Sequence, residues 1–385
     1  MKKIRNLLLF ILLLVMVPGF SAFTCGESLA EKNKLSPVNA GGACVMEVNT
    51  GRILYSCKSD SKLPMASTTK VMTALIALEN TELDEEFIVD ARAVGVEGSS
   101  IYLKKGETVR MQDLLYGLML MSGNDAAEAI AYKVAGSLEN FAGLMNEKAK
   151  ELGAANTNFV NPHGLHDENH YTTAADLCKI ASEALKNPQF KKIVSTKKYT
   201  MEGIDNGTIK GETRYFSNKN KMLTQYEGAN GVKTGYTKAA GRCLVTSAER
   251  DGMQIVSVVL NCPEMWKVSA EIMDYAFSEY KYTEVVKAYN YYADIPVEKG
   301  KNQTVKVCSI EPVYYPLKED EHYSVKLEVN IADKFSAPVY KNYKAGEVKV
   351  YFDGECIAER DIITIDESMK KTLLDKIKDF FDRLF

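Results

Sequence analysis

Seven residues of this chain stand in three short motifs whose side chains could act on one substrate. They are Ser67 and Lys70 (Ser-x-x-Lys), Ser122 and Asn124 (Ser-x-Asn), and Lys233, Thr234 and Gly235 (Lys-Thr-Gly). Each motif alone is common by chance. Together they supply a nucleophilic hydroxyl, an amine to take its proton, a second hydroxyl beside an amide, and a second cation. This combination indicates acyl transfer through a serine.

The first motif is predicted to lie at the start of a helix. Val71, Met72, Leu75, Ile76 and Leu78 recur at helical spacing, so the helix begins at about Ser67 and places the amine of Lys70 near the serine hydroxyl. Free N–H groups in the first turn favour negative charge at Ser67. To act as a base near neutral pH, Lys70 needs its pKa lowered by about three units from ~10.4, roughly 4 kcal/mol. Burial and a second cation such as Lys233 can supply that shift.

The second motif falls between two predicted helices, residues 111–121 and 125–134. At such a junction the side chains of Ser122 and Asn124 can point into a cleft. Ser122 would then relay a proton, and Asn124 would bind a backbone amide of the substrate. Ser-Gly-Asn is equally typical of an ordinary turn, so the motif gains its meaning only from the others.

The third motif is predicted to lie on a strand that is followed by two more, at residues 243–248 and 255–260. Alternation places Lys233 and Gly235 on one face of the strand and Thr234 on the other. Gly235 permits close approach to a neighbouring backbone. On an edge strand, the N–H of Tyr236 could join that of Ser67 in an oxyanion hole.

The order of elements predicts an α+β fold with an antiparallel sheet flanked by helices. A hairpin at residues 40–58 precedes the helices, and strands follow them. From about residue 285, short alternating stretches separated by glycine and proline predict a small all-β domain. We therefore expect a catalytic domain at 35–282 and a C-terminal β domain at 285–363.

The N-terminus has the composition of a secretory signal. Lys2, Lys3 and Arg5 precede an apolar run at residues 7–17 that is shorter than the ~20 residues a membrane span needs. We assign residues 1–24 to this signal. An uncleaved anchor, or lipoprotein processing at Cys25, are the alternatives.

The C-terminal segment, residues 366–385, is predicted to form an amphipathic helix. Its apolar side chains fall on one arc: Met369, Leu373, Leu374, Ile377, Phe380, Phe381, Leu384 and Phe385. From residue 370 onward it has five basic and three acidic residues. Such a helix can lie on a membrane surface that carries anionic lipid. Packing against the β domain and self-association are the alternatives.

Charge and cysteine content limit the remaining function classes. With 48 basic and 51 acidic residues, the chain has no general attraction for nucleic acid. If Thr50-Gly51 forms a two-residue turn, Cys44 and Cys57 face each other, either as a disulfide or as two small core side chains. His163, His166 and His170, with Asp167 and Glu168, have the residue types of a zinc site, but Pro162 and Gly164 indicate a loop. We predict no metal and no cofactor.

The three motifs and their surroundings resemble the low-molecular-mass penicillin-binding D-alanyl-D-alanine carboxypeptidases. The resemblance includes the flanking runs at residues 64–70, 157–165 and 231–237 and extends from about residue 38 into the tail. It implies Ser67 as the acylated nucleophile, Lys70 as its base and Ser122 as the relay. It further implies that Asn124, Lys233 and Thr234 bind substrate, and that β-lactams acylate the enzyme.

One difference from the family concerns the substrate carboxylate. Relatives often have an arginine after the last sheet strand, whereas Lys267 occupies that region here, beside Trp266. A lysine lacks the bidentate fork of arginine, so we expect looser carboxylate binding or binding by Thr234 alone.

The resulting hypothesis is an exported carboxypeptidase on the outer face of the cytoplasmic membrane that trims peptidoglycan stem peptides. A β-lactamase is the nearest alternative, but no Glu-x-x-Leu-Asn element follows Ser122. A D,D-endopeptidase, or a non-catalytic cell-wall or sporulation adaptor, are the others.

Overall fold

The structure is a computed structural model that describes residues 38–382. The predicted signal segment and Cys25 lie outside this range. The helices are α1 (Lys70–Asn80), α2 (Met111–Tyr116), α3 (Asn124–Ala135), α4 (Leu138–Glu151), α5 (Ala174–Lys186), α6 (Pro188–Ser195), α7 (Met222–Gln225), α8 (Met265–Glu279) and α9 (Leu373–Asp382). The strands of the first part of the chain are β1 (Gly42–Glu47), β2 (Ile53–Cys57), β3 (Glu86–Ile88), β4 (Thr108–Arg110), β5 (Lys198–Met201), β6 (Arg214–Ser217), β7 (Ala229–Thr237), β8 (Gly241–Arg250) and β9 (Met253–Leu260).

The C-terminal part of the described chain contains eight further strands. They are β10 (Lys281–Val286), β11 (Asn290–Glu298), β12 (Thr304–Ser309), β13 (Val313–Leu317), β14 (Val325–Ile331), β15 (Phe335–Ser336), β16 (Lys344–Phe352) and β17 (Glu355–Thr364).

A five-stranded antiparallel sheet forms the centre of the first part, in the order β2-β1-β9-β8-β7. Strand β9 is buried along its whole length because helices α5 and α8 pack on the sheet. Helix α1 packs against α3, α4 and α5 rather than lying at the surface. The predicted α+β architecture is confirmed. Strand β7 is an edge strand, so one side of its backbone is open towards the start of α1.

The β1–β2 hairpin has a different register from the predicted one. The loop has four residues rather than two, since the N–H of Glu47 donates to the carbonyl of Arg52, and an irregularity follows between Val45 and Met46. As a result Cys44 lies opposite Ser56, while Cys57 lies opposite Ala43. The predicted facing pair is wrong, and both thiols are free. Cys44 is buried in the core, in line with its predicted apolar alternative.

Six of the C-terminal strands form a separate sheet, in the order β14-β16-β17-β12-β11-β15, with its own small apolar core, while β10 and β13 pair with each other. Arg52, from the end of the first hairpin, joins the two parts. Its guanidinium donates to the carbonyl of Pro316 and to Glu321 (2.6 Å), and its Cζ lies 4.4 Å from the centre of the Phe352 ring. A partly buried cation with both an anionic and an aromatic partner stabilises the junction.

The amphipathic helix at the C-terminus begins at Leu373, later than the predicted start at 366. The preceding segment is extended because the N–H of Lys301 donates to Met369 and the N–H of Lys371 donates to Lys299. Thr372 then caps the helix through Asp375. None of the side chains of α9 is buried. Within residues 38–382, no helix combines the length and apolar content that a membrane crossing requires.

Candidate active site

Ser67 lies in a short 3-10 turn, Ala66–Thr69, that leads directly into α1. The amine Nζ of Lys70 is 3.1 Å from the hydroxyl oxygen of Ser67. Lys70 is fully buried, whereas Ser67 is partly exposed. The predicted pairing of nucleophile and amine at the start of a helix is therefore present, with the amine on the protein side and the hydroxyl facing solvent.

Lys70 has two further hydrogen-bond partners, and both are acceptors. Its amine lies 2.7 Å from Oδ1 of Asn124 and 2.7 Å from the backbone oxygen of His163. Burial, and next the nearby cation Lys233, lower the pKa of Lys70 well below its ordinary value. A neutral amine has two N–H groups and one lone pair. It can donate to the two oxygens and present the lone pair to the Ser67 hydroxyl.

Asn124 lies behind Lys70 rather than in the open cleft. Its Oδ1 accepts from Lys70, and its Nδ2 donates to the backbone oxygen of Glu97 at 2.5 Å. The side chain is buried at the first residue of α3. Both ends of the amide are engaged inside the protein, and the contact with the amine of Lys70 was not indicated by the sequence. The predicted contact of Asn124 with a substrate amide stays a prediction.

Ser122 lies between a π-helical turn, Gly117–Met121, and α3. Its backbone is left-handed, with φ +66°, a conformation that a serine adopts only when its surroundings hold it there. The side chain lines the same cavity as Ser67. The predicted junction between two helices is confirmed.

Strand β7 brings the third motif to the nucleophile. A Cβ at Gly235 would lie 3.1 Å from the backbone nitrogen of Ser67, tighter than most Cβ contacts, so a glycine here favours the close approach of the strand. Gly235 and Lys233 are buried on one face, as alternation predicted, and Tyr236 is exposed. Burial, and next Lys219, lower the pKa of Lys233 to about 7.

A cavity of about 560 Å³ opens between these elements. Its lining residues are Ser67, Ser99, Ser122, Lys219, Thr234, Gly235, Tyr236, Arg242, Met265 and Trp266. Lys70, Asn124 and Lys233 lie beneath this surface rather than on it. None of the lining residues is acidic.

Lys267 does not line this cavity, contrary to the prediction. It is on the solvent side of α8, 66% of its side chain is exposed, and its amine is 3.9 Å from Glu271. Arg242 is the basic residue that sequence reasoning missed. It lies opposite Tyr236 in the β7–β8 pair, one residue before the predicted strand at 243–248, so pairing that strand with the third motif would have placed it near the site. Lys219 was also missed. Its amine is bonded to the carbonyl of Met121 at 2.9 Å.

The histidine-rich run is a loop that supports the nucleophile. His170 accepts from the N–H of Val160 at Nδ1, which leaves Nε2 to donate to the hydroxyl of Thr69 at 2.8 Å, and Thr69 in turn donates to the carbonyl of Ala66. Burial lowers the pKa of His170 to about 4, so the ring is neutral. The loop packs directly on the turn that carries Ser67, so closely that a Cβ at Gly164 would collide with the carbonyl of Ala66.

A second histidine of this loop faces an acidic side chain. Nε2 of His163 is 3.3 Å from Glu128, while His166, Asp167 and Glu168 are exposed. In residues 38–382, no three potential metal ligands come together.

An antiparallel sheet flanked by helices, with a serine and a buried lysine in contact at the start of a central helix, defines the class of penicillin-recognising serine enzymes. Residues 29–264 match the family model of the D-alanyl-D-alanine carboxypeptidases, and residues 280–370 match that of the C-terminal domain of penicillin-binding protein 5. The chain is 34% identical to D-alanyl-D-alanine carboxypeptidase DacF of Bacillus subtilis over 96% of this chain and 95% of that protein. It is 28% identical to DacA of Escherichia coli over 90% and 88%, respectively.

A solved structure is similar along almost its whole length. Penicillin-binding protein 5 from Haemophilus influenzae has a TM-score of 0.67 at 26% identity, with 88% of this chain and 99% of that chain covered. The chain belongs to the D-alanyl-D-alanine carboxypeptidase family, in its low-molecular-mass penicillin-binding class.

Proposed function

We propose that this carboxypeptidase removes the terminal D-alanine from peptidoglycan pentapeptide stems through an acyl-enzyme on Ser67. The observation that supports this most directly is the contact of 3.1 Å between the Ser67 hydroxyl and the buried amine of Lys70. Lys70 accepts the hydroxyl proton as the serine oxygen bonds to the carbonyl carbon of the penultimate D-alanine. Burial, and next the nearby Lys233, lower the pKa of Lys70, which is the direction that favours the neutral amine required of a base.

The leaving amine receives its proton through Ser122. When the C–N bond breaks, the terminal D-alanine takes up the proton that Ser67 gave to Lys70, with Ser122 as the relay. Ser122 lines the cavity and can reach a substrate, whereas Lys70 lies beneath it. Water then hydrolyses the ester and restores Ser67.

The developing oxyanion is bound by the backbone N–H groups of Ser67 and Tyr236. Support for this comes from the open edge of β7 and from the close approach of Gly235 to the nitrogen of Ser67. Each such donor contributes about 3–4 kcal/mol to transition-state stabilisation where it has been tested. The helix start adds its favourable field for negative charge.

The terminal carboxylate of the substrate is bound by Thr234 and Arg242, which line the cavity. Arg242 offers the bidentate fork that suits a carboxylate, and Lys219 adds a positive charge nearby. Lys233 lies one layer deeper, where its amine donates to the carbonyl of Thr234 at 2.9 Å. It therefore acts through the position of Thr234 and the electrostatic field rather than by contact.

Penicillins acylate the same serine, and the resulting acyl-enzyme is hydrolysed slowly. A class A β-lactamase clears its acyl-enzyme with a water activated by glutamate, and among residues 38–382 no acidic residue lines the cavity. This favours the carboxypeptidase over the β-lactamase.

The proposed domain organisation has a signal at residues 1–24, a catalytic domain at 35–282 and a β domain at 285–363.

The enzyme works on the outer face of the cytoplasmic membrane and is held there by its tail. The exposed apolar side chains of α9 include Leu373, Leu374, Ile377, Phe380 and Phe381. No described residue covers them, and an amphipathic helix of this kind binds in the plane of a bilayer surface.

Two measurements on one preparation test the catalytic proposal. A fluorescent penicillin should label the wild-type protein and not the Ser67→Ala variant, and D-alanine should be released from a diacyl-Lys-D-Ala-D-Ala peptide by the wild type alone. Equal labelling of both proteins would exclude Ser67 as the nucleophile. No adduct and no release would favour the adaptor, while rapid loss of the adduct would favour the β-lactamase.

A further inference from the structure

The turn Tyr340–Lys344, which ends at the first residue of β16, exposes two aromatic side chains. Tyr340 is 56% exposed and Tyr343 is 55% exposed. The ring of Tyr343 stands edge-on to Phe335 at 5.5 Å, so its base is held while the rest faces solvent. Exposed tyrosines are common on proteins, but Tyr340 and Tyr343 are distinguished by their position beside the segment that leads into the tail helix.

This turn is tied to the segment that leads into the tail helix. Val339 and Ser368 exchange backbone hydrogen bonds of 2.9 and 2.8 Å. The hydroxyl of Thr364 donates to the carbonyl of Tyr340 (2.7 Å) and accepts from the N–H of Tyr343 (2.9 Å). The turn therefore cannot move independently of the base of the tail.

A third segment, residues 299–301, joins the same end of the β domain. Lys301 and Lys371 are bonded through their backbones to the opposite segment, and a Cβ at Gly300 would lie 2.3 Å from the hydroxyl oxygen of Ser368. The amine of Lys301 is also 3.2 Å from Asp375 in the first turn of α9. Three chain segments and the start of the helix thus form one continuous hydrogen-bonded surface.

This surface carries an excess of positive charge. Residues 299–304, 339–344 and 365–372 contain six lysines and two acidic residues: Lys299, Lys301, Lys341, Lys344, Lys370 and Lys371 against Asp366 and Glu367. Three of these lysines pair with acids outside these ranges: Lys301 with Asp375, Lys344 with Asp361 and Lys371 with Asp379. Lys301 and Lys341 line one cavity, together with both acids. In the described part of the chain, neither Lys341 nor Lys370 takes part in an ion pair.

We propose that the turn Tyr340–Lys344 is a second membrane contact, which inserts its tyrosines at the lipid headgroups beside α9. Tyrosine has an apolar ring and a polar tip, and it is enriched where a protein meets the membrane–water interface. Lysines beside it are attracted to anionic lipid. A second contact on the same chain as the tail helix would raise the overall affinity for the membrane, because its binding becomes intramolecular once the helix is bound. Two contacts joined rigidly would also fix the orientation of the β domain on the bilayer.

This inference rests on the proposed membrane role of the tail, and binding of the full mature chain to vesicles tests both. The vesicles contain phosphatidylglycerol and phosphatidylcholine at one to three, with pure phosphatidylcholine for comparison. We expect Tyr340→Ser combined with Lys341→Glu to weaken binding to the anionic vesicles about tenfold. Tyr323→Ser combined with Lys326→Glu is the matched control, because both side chains are exposed in the same β domain but lie near Glu321 at the Arg52 junction. It should bind as the wild type does.

The two failures are distinguishable. If the double variant binds normally while a chain ending at residue 371 does not bind, the tail is the membrane contact and the second contact is wrong. If the wild type does not bind, both are wrong.

A direct readout comes from Tyr340→Trp. The wild type has a single tryptophan, Trp266, which lines the active-site cavity. Relative to the wild type, the fluorescence emission of the added tryptophan should shift to the blue when the protein binds vesicles, and brominated lipid should quench it. An unchanged spectrum on vesicles that bind the protein would overturn the second contact.

Discussion

Oδ1 of Asn124 lies 2.7 Å from Nζ of Lys70, at the buried end of the Ser67–Lys70 pair. The other end of the same amide donates to the backbone oxygen of Glu97, which fixes the orientation of the amide. Asn124 therefore presents a neutral acceptor to the amine. A neutral acceptor can hold the amine without stabilising its charged form as a carboxylate would.

Asn124→Asp should shift the acidic limb of the pH profile for acylation to higher pH. A carboxylate beside Lys70 raises the pKa of the amine, so a higher pH is needed to obtain the neutral base. The rate of labelling by a fluorescent penicillin, measured from pH 5 to 9, checks this. Asn124→Ala is the control: it should slow acylation about tenfold, because Lys70 loses a partner, without that shift of the limb. A limb that moves equally in both variants would contradict the role given to the amide.

Gly235→Ala should slow acylation by at least about tenfold with little effect on folding. The new methyl group would press on the nitrogen of Ser67 at 3.1 Å and displace β7 from the nucleophile. Stopped-flow acylation and thermal unfolding measure the two effects. Gly143→Ala provides the matched change, since Gly143 is exposed on α4 with no atom near its Cβ. It should keep full activity and gain about 0.5–1 kcal/mol of stability.

Arg242→Gln should raise KM for the peptide substrate about tenfold, because the terminal carboxylate loses a charge-assisted hydrogen bond. Lys267→Gln should leave KM unchanged, since its side chain lies outside the cavity. Steady-state D-alanine release measures both. The reverse outcome would return carboxylate binding to Lys267 and remove it from Arg242.

Lys233→Met should increase the free energy of unfolding at neutral pH and remove most of the carboxypeptidase activity. The folded pKa of Lys233, about 7, is below the ordinary value of 10.5, so the unfolded chain binds more protons between these values and wild-type stability rises with pH there. At or below pH 7 the full cost of this burial is present, at most about 5 kcal/mol. Denaturant unfolding at pH 7 and pH 10 should show a smaller rise for Lys233→Met than for the wild type. Lys267→Met, on the surface, should behave as the wild type does.

The chemistry and the order of elements followed from the sequence. The helix after Ser67 was predictable because its apolar residues repeat at the helical period, and β7 to β9 because their apolar runs are separated by turn residues. The class of enzyme followed too, since three motifs in one order are far more specific than any of them alone. Helical periodicity, turn residues and short motifs are local patterns, so they can be recognised without knowing how distant parts of the chain pack.

Tertiary packing decided which side chains meet. The register of the first hairpin, which separates Cys44 from Cys57, depends on a local irregularity that the β-strand pattern does not encode. The choice of Arg242 over Lys267 depends on which face of α8 packs on the sheet, and the engagement of Asn124 depends on the loop that carries Glu97. Above all, the sequence showed two lysines where a base was needed, but only burial within the folded chain removes their hydration and lowers their pKa values.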